Sequence, residues 1–446
     1  MSDLKRAFDI LKAKEPKFSK YFEYYDGIQP LIFASQAMTN QFGAGGFKLN
    51  ENWCGFVITS TLDRIVLNGI TSEDENITNT LKTLWDNQDF NLLSRDVHED
   101  ALIAGESYII AWPDEDGVPE AYCNDPRLCY IQYDSEHPTK KLWAAKRWVD
   151  DNGYMRMTMY YPDHLEYYMS TRPAEQCSTE RSLHPMEPPT APNPYGEIPV
   201  FHYRVQRKRG VRSDLNDVLS LQNGLNKELT DLFVTSEFNA FPQRWIISNA
   251  ENMDATIKNR PGKIWQLAAA INSDAQNVQS TTVGQFPASD MSGYLNVKAN
   301  LAETICTLTH TPRHYLLNDG SSNLSGEALI AMEAPLNKKC SDRIDAFAPT
   351  WQRLAAFLLK LSGIQAEPKS LITDWEEPAT VQPRTAAEIT QIRVASGIPL
   401  SSALKMEGLS DAEVAQVEEQ IVEEAAARQT ELGASLTAAM REFDGA

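Results

Sequence analysis

The stretch SDLNDVLSLQNGLNKELTDLF, residues 213–233, decides the fold. Its apolar positions Leu215, Val218, Leu219, Leu225, Leu229, Leu232 and Phe233 largely recur three and four apart, with Asn, Gln, Lys, Glu and Asp opposite, which is the pattern of an amphipathic helix. Ser213 stands where a side-chain oxygen caps the first turn, and Pro242 ends the run because it has no backbone N–H to donate. A second stretch, MSGYLNVKANLAETICTL at 291–308, repeats the pattern through Tyr294, Leu295, Leu301, Ile305 and Leu308. At about 1.5 Å per residue it spans on the order of 27 Å. Between the two, Gln243 to Pro287 reads as short strands (Trp245 to Ile247, Lys263 to Leu267) with loops, a small module held between paired helices.

Upstream, residues 1–90 read as mainly helical, from Leu4, Phe8, Ile10 and Leu11 through Phe56, Leu62, Ile65 and Val66 to an exit at Gly69. Another helix, Leu92 to Ala104, ends at Gly105. The period then changes to strands: Glu106 to Trp112, Leu128 to Tyr133, Trp143 to Val149, Met155 to Tyr161 and His164 to Met169, an antiparallel meander punctuated by Asp/Gly turns. Residues 172–199 hold seven prolines and are predicted to form an irregular outer loop. Val200 to Val205 reads as a strand, followed by a basic patch whose Arg207, Lys208, Arg209 and Arg212 are candidates for a solvated loop, a contact with an acidic neighbouring subunit, or a phosphate contact.

Downstream of the second helix lies a polar loop, Thr309 to Leu324, and then a long helical pattern from Ser325 to Leu361, carried by Cys340, Ile344, Phe347, Trp351, Leu354, Leu358 and Leu361. Pro335 and Pro349 are expected to kink or divide it. From Arg384 the chain is again helical, with a turn at Gly397-Ile398-Pro399, and its last part is acidic and rich in alanine. The whole is an α+β chain, mainly helical.

Composition narrows the function. Hydrophobic residues make up 42% and charged residues 23% of 446, the balance of a folded globular chain. The formal charge of −20 disfavours tight DNA wrapping, because phosphate binding draws its affinity from Lys and Arg. No signal-like segment or membrane-length apolar run stands out, which points to synthesis in a cytoplasm and no membrane partner. The six cysteines, without a CxxC pair, read as reduced and mostly buried. His310 and His314 are four apart, but Pro312 between them breaks the helix a zinc pair would need. There is no GxxxxGK[ST] phosphate loop and no GxSxG elbow, so neither a catalytic residue, a metal nor a cofactor is assigned and the chain is not read as an enzyme.

Five short motifs occur in order: Tyr24-Tyr25-Asp26-Gly27, Ala104-Gly105-Glu106-Ser107-Tyr108, Asn193-Pro194-Tyr195-Gly196-Glu197-Ile198-Pro199-Val200, Leu221-Gln222-Asn223-Gly224-Leu225-Asn226-Lys227 and Asn323-Leu324-Ser325-Gly326-Glu327-Ala328. With the order helix, insertion, helix, loop and long helix, the chain resembles the portal proteins of long-tailed bacteriophages over roughly residues 20–410. That resemblance implies a ring around a central channel, usually of twelve subunits, at one capsid vertex, through which double-stranded DNA is packaged and ejected. It implies a wing of residues 1–213 and 325–380, stem helices 214–241 and 289–309, a clip 242–288, a tunnel loop 310–324 and a crown 381–446. Stem packing falls to Leu225, Leu229, Leu232, Leu301 and Ile305, and the DNA channel to Arg313, His314, Tyr315, Asn318, Asp319, Ser321, Ser322 and Asn323. The implied partners are further copies of the chain, the terminase, head-completion or adaptor proteins, and the major capsid and scaffolding proteins, in the virion. The channel surface is expected to be net negative, with at most a band of positive charge. Another head or minor capsid protein would share the acidity but gives no reason for paired helices around an insertion; a nuclease would need a site the sequence does not display.

Overall fold

Helix α1, Asp3–Tyr25, starts where the Ser2 hydroxyl accepts from the Lys5 N–H, and it buries Ala7, Phe8 and Leu11 against Trp143, Met155 and Met157. The computed structural model describes residues 2–30, 50–206, 210–240, 244–247, 282–287, 290–315, 326–379, 383–406, 409 and 414–422. After α1 come α2 (Trp53–Leu62), strand β1 (Leu67–Ser72), α3 (Glu75–Asn87) and α4 (Phe90–Ala104). The helical reading of 65–69 is therefore corrected: α2 stops at Leu62, and Leu67–Ser72 is a strand, with Gly69 at an irregularity in its register rather than at a helix exit. A strand only six residues long, flanked by helices, gives too few alternations to declare its period.

Strands β2 (Glu106–Pro113), β3 (Pro119–Asn124), β4 (Cys129–Tyr133), β5 (Lys141–Val149), β6 (Tyr154–Tyr160), β7 (His164–Pro173), β8 (Leu183–Pro192) and β9 (Val200–Arg204) follow. All their pairings are antiparallel, but the single meander resolves into two sheets, β3-β2-β9 and β4-β5-β6-β7-β8. The irregular loop expected for 172–199 is corrected too. Pro185, Pro188, Pro189 and Pro192 lie within β8, an outermost strand of its sheet, where an imino acid removes no hydrogen bond that an inner ladder would need.

Helix α5 spans Leu219–Ala240; β10 (Arg244–Ile247) pairs antiparallel with β11 (Thr282–Gln285), and α6 (Ser292–Thr309) returns. The expected strand Lys263 to Leu267 lies outside the described residues. Ser213 does not cap a continuous helix: its hydroxyl accepts from the Leu215 N–H at 2.9 Å, and residues 214–218 form turns before α5 begins. Helix α7, Gly326–Leu361, runs unbroken through Pro335 and Pro349, so neither divides it. Strand β12, Leu371–Trp375, closes against β1, a pairing across some 300 residues that no local pattern announces.

The main core gathers on α7. Trp351 is fully buried beside Trp85, Phe90 and Tyr203, and its indole N–H donates to His98 Nε2 at 3.0 Å. The His98 ring stacks on Phe347 at 5.0 Å and on Trp375 at 5.4 Å. Burial pushes its pKa down to about 3, with a hydrogen bond to the Ile65 backbone pulling the other way, so this imidazole is a neutral packing element.

Chain contacts divide the molecule into Met1–Pro378 and Ala379–Ala446. The second unit holds α8 (Pro383–Ala395) and α9 (Leu400–Lys405), joined at Gly397, whose φ of +94° suits a residue without Cβ.

Candidate channel site and the root of the paired helices

The motif of residues 221–227 explains itself in α5. Gln222 and Asn226, one helical turn apart, are buried polar residues and both are satisfied. The Gln222 carbonyl oxygen accepts from the Trp53 N–H at 3.0 Å, and its amide donates to the Glu51 carbonyl at 2.6 Å and to Asn226 Oδ1 at 3.0 Å. Asn226 donates in turn to Gln29. Asn223 accepts from the Tyr24 hydroxyl at 2.7 Å, so the first and fourth motifs of the sequence meet here. Gly224 faces α6: a Cβ there would stand 3.5 Å from Leu301, in ordinary van der Waals contact. Of the residues expected to pack this pair, Leu225 and Ile305 are fully buried in one core and Leu301 lies against it, whereas Leu229 and Leu232 are half-buried farther along.

The near end of the pair is bolted to α7. Asp214 places one carboxylate oxygen 2.8 Å from Arg343 and the other 3.0 Å from Lys339. Burial opposes its ionisation, but these two cations overcome that and hold its pKa below the ordinary value. Lys339 also donates to the carbonyl of Thr309, the last residue of α6, at 3.4 Å. One lysine thus touches Asp214, in the turns that lead into α5, and the end of α6.

The polar segment after α6 leaves through His310, whose φ of +61° ends the helix in the left-handed region, so its ring is not presented one turn from that of His314. Among the described residues, no group of His, Cys, Asp and Glu is arranged to hold a metal ion. Arg313–Tyr315 form a 3₁₀ turn pinned to the body by a cluster that sequence reasoning missed. Arg64 lies 3.0 Å from Glu333 and donates to Asn337 at 2.6 Å and to the Pro378 carbonyl at 2.8 Å. The Tyr315 hydroxyl accepts from Arg64 and donates to Glu333 at 2.6 Å, while His314 Nε2 stands 3.7 Å from Glu333. Arg313 pairs with Glu303 at 2.7 Å near the surface. Asn318, Asp319, Ser321, Ser322 and Asn323 lie outside the described residues. So do Arg207, Lys208 and Arg209; Arg212 pairs with Asp217 at 2.5 Å on the surface.

A family model for phage portal proteins, SPP1 Gp6-like, matches residues 4–430. The chain belongs to this phage portal protein family. It is 24% identical to the portal protein of Mycobacterium phage D29 over 349 residues, 74% of this chain and 70% of that protein. To the portal protein of Mycobacterium phage L5 it is 23% identical over 196 residues, 42% and 40% of the two chains. Solved structures similar to it include a chain in the neck of an empty gene transfer agent particle (TM-score 0.47, 14% identity, 85% of this chain and 95% of that one). Another is a chain in the neck of the native particle (TM-score 0.45, 14% identity, 84% and 93%). Portal proteins are structural components of the phage head through which the genome is packaged, and that role is this chain's.

In this portal chain the Arg64 cluster fixes the turn Arg313–Tyr315. Arg64→Met is expected to destabilise the fold by about 1.5–3 kcal/mol, the range for losing hydrogen bonds to a charged group. Urea unfolding followed by tryptophan fluorescence measures it, and a loss below about 0.5 kcal/mol would mean the turn is held without Arg64.

Proposed function

We propose that twelve copies form a ring around a DNA channel, with residues 1–213 and 325–380 as the wing, 214–241 and 289–309 as the stem, 242–288 as the clip, 310–324 as the tunnel loop and 381–446 as the crown. The clip docks the terminase during packaging and head-completion proteins afterwards. The tunnel loop, through residues including Asn318, Ser321 and Ser322, touches the passing duplex, and ATP hydrolysis belongs to the terminase, leaving this chain without a catalytic step. Capsid and scaffolding proteins surround the ring in the virion.

The observation that carries the ring is the exposed apolar surface of α6. Leu295, Val297 and Leu308 are 52%, 43% and 51% exposed, apolar surface on a helix whose buried residues, Ala302, Ile305, Cys306 and Thr309, are confined to its second half. Neighbouring stems in a ring would cover it. Native mass spectrometry tests this: the wild type gives a ring, and Leu295→Asp with Leu308→Asp lowers ring yield at least tenfold while leaving the monomer's unfolding midpoint unchanged, because each side chain is half exposed in the single chain. A wild type that stays monomeric at high concentration would overturn the ring; a variant that assembles fully would move the stem interface elsewhere.

A further inference from the structure

Each copy carries a net charge of −20, so any ring must assemble against mutual repulsion. Against that background one hollow has the opposite sign. It is a cleft of about 750 Å³ between α7 and the loop entering β5, with Lys140, Lys141, Arg353 and Lys360 around it and Glu197 as the single carboxylate among the described residues that line it. An adjoining cleft of about 200 Å³ shares Lys141 and Arg353, adds Arg204 and has no carboxylate among its described lining residues. Five cations thus converge where, among the described residues, one acid stands.

Most of the described contacts of these cations are with neutral groups. Lys360 is matched by Glu197 at 2.9 Å. Lys141 donates to the carbonyls of Ile198 and Val200 at 3.3 and 2.6 Å and lies over the Phe201 ring, neutral partners all. Arg353 donates to the Pro349 carbonyl and to Thr350. Burial, with the like charge of Arg353, pulls the Lys141 pKa down to about 8 against the opposing influence of Glu197. The floor is apolar, formed by Ile198, Phe201, Ala356 and Phe357. Duplex DNA calls for cations spaced along a phosphate ladder, whereas these ring one hollow over a hydrophobic base, the chemistry of an acidic peptide segment with an apolar side chain.

We propose that this cleft receives a carboxylate-bearing segment of a neighbouring copy, so that subunits of like net charge are joined through one patch of opposite sign. The inference rests on the ring of the preceding subsection, which supplies an acidic copy beside every cleft.

The test uses rings assembled from a mixture of ¹⁴N- and ¹⁵N-labelled full-length chains, treated with a carbodiimide that joins amines to carboxylates in direct contact. Peptides pairing Lys140, Lys141 or Lys360 with an Asp or Glu of the other isotope are expected. Lys140→Glu with Arg353→Glu should lower ring yield at least tenfold at low salt. Lys140→Gln with Lys360→Gln, whose melting matches the wild type, should lower it several-fold. Failure of the wild type to form rings would remove the ring itself. Intact rings whose cleft lysines join only to their own chain, with wild-type yield for both variants, would overturn the docking and leave the ring standing. So would binding of a fluorescent glutamate-rich peptide to assembled rings at these lysines, which would mark the cleft as open to a different acidic partner, or protection of the lysines by added duplex DNA.

Discussion

Lys14→Met is expected to destabilise the folded chain by about 3–5 kcal/mol, the cost of leaving one partner of a buried ion pair without the other. Lys14 Nζ lies 2.5 Å from Glu106 Oε1, with side-chain exposures of 9% and 4%. It also donates to the Cys129 carbonyl at 2.7 Å and sits over the Phe18 and Tyr108 rings. Glu106 receives the Tyr108 hydroxyl at 3.0 Å and stands 2.9 Å from His202 Nε2. This cluster ties α1 to β2, β4 and β9, and so the N-terminal helix to both sheets. Methionine preserves length and packing but leaves the carboxylate in an apolar surrounding without its cation.

The pH dependence gives the same prediction a sign. Burial raises the Glu106 pKa, but Lys14 and then His202 outweigh it and bring it from 4.5 down to about 2. A carboxyl with a depressed folded pKa contributes stability that is complete above its unfolded value and is lost as pH falls from about 4.5 towards 2. In the Lys14→Met chain burial acts on Glu106 without that opposing cation, so this group's loss of stability in acid shrinks, while burial, the largest influence on His202, keeps that imidazole reluctant to take a proton. Falling pH should therefore destabilise the wild type more steeply than the variant. Urea titrations at several pH values measure both slopes, and Glu106→Gln added to Lys14→Met should recover most of the loss. A single variant within 1 kcal/mol of wild type, with an unchanged pH slope, would show that the pair is dispensable.

What the sequence made legible follows from the range of the interactions. The paired helices α5 and α6, the long helix of α7, the helix ending at Gly105 and most strands of the two sheets are set by local periodicity, and apart from the start of α5, six residues beyond Ser213, they stand within a few residues of where that period places them. The β1–β12 pairing joins segments each too short to show a period, and the prolines of β8 read as breakers because nothing local says that a strand lies at the rim of its sheet. Gly105 was legible as a helix end; that its missing Cβ also admits the Arg212 backbone, 2.6 Å from where a Cβ would stand, depends on a segment 107 residues away. The same division holds at the site. Leu225, Leu301 and Ile305 follow from spacing, but the ionic clusters at Arg64, Lys14 and Asp214 each join elements far apart in the chain, and a lone charged residue in a sequence does not name its partner. The motif of residues 221–227 shows the intermediate case, since its buried Gln222 and Asn226 are conspicuous polar residues on the face that a pattern of leucines would bury.

Asp214→Ala tests how the root of the paired helices is held, and a loss of about 3–5 kcal/mol is expected because removing the anion leaves Lys339 and Arg343, one turn apart on α7, as neighbouring cations with little solvent. Two further consequences distinguish this from an ordinary surface change. Lys339 touches both Asp214 and the Thr309 carbonyl, so its displacement loosens the turns leading into one helix and the end of the other together, and ring yield should fall along with stability. Leu295→Asp with Leu308→Asp should lower ring yield alone, so the two variants separate the support of the helix pair inside one copy from its contact with the next. Asp214→Asn keeps an acceptor for one cation and removes the charge, and should fall between the wild type and alanine. Because the Asp214 pKa is held below 3.8, its contribution is complete at neutral pH and is lost only as pH falls through and below that value, so all three comparisons belong at pH 7. Urea unfolding and native mass spectrometry on the same preparations supply the measurements. An alanine variant that keeps wild-type stability would show that the two cations find other partners and that α7 does not anchor the helix pair through this aspartate.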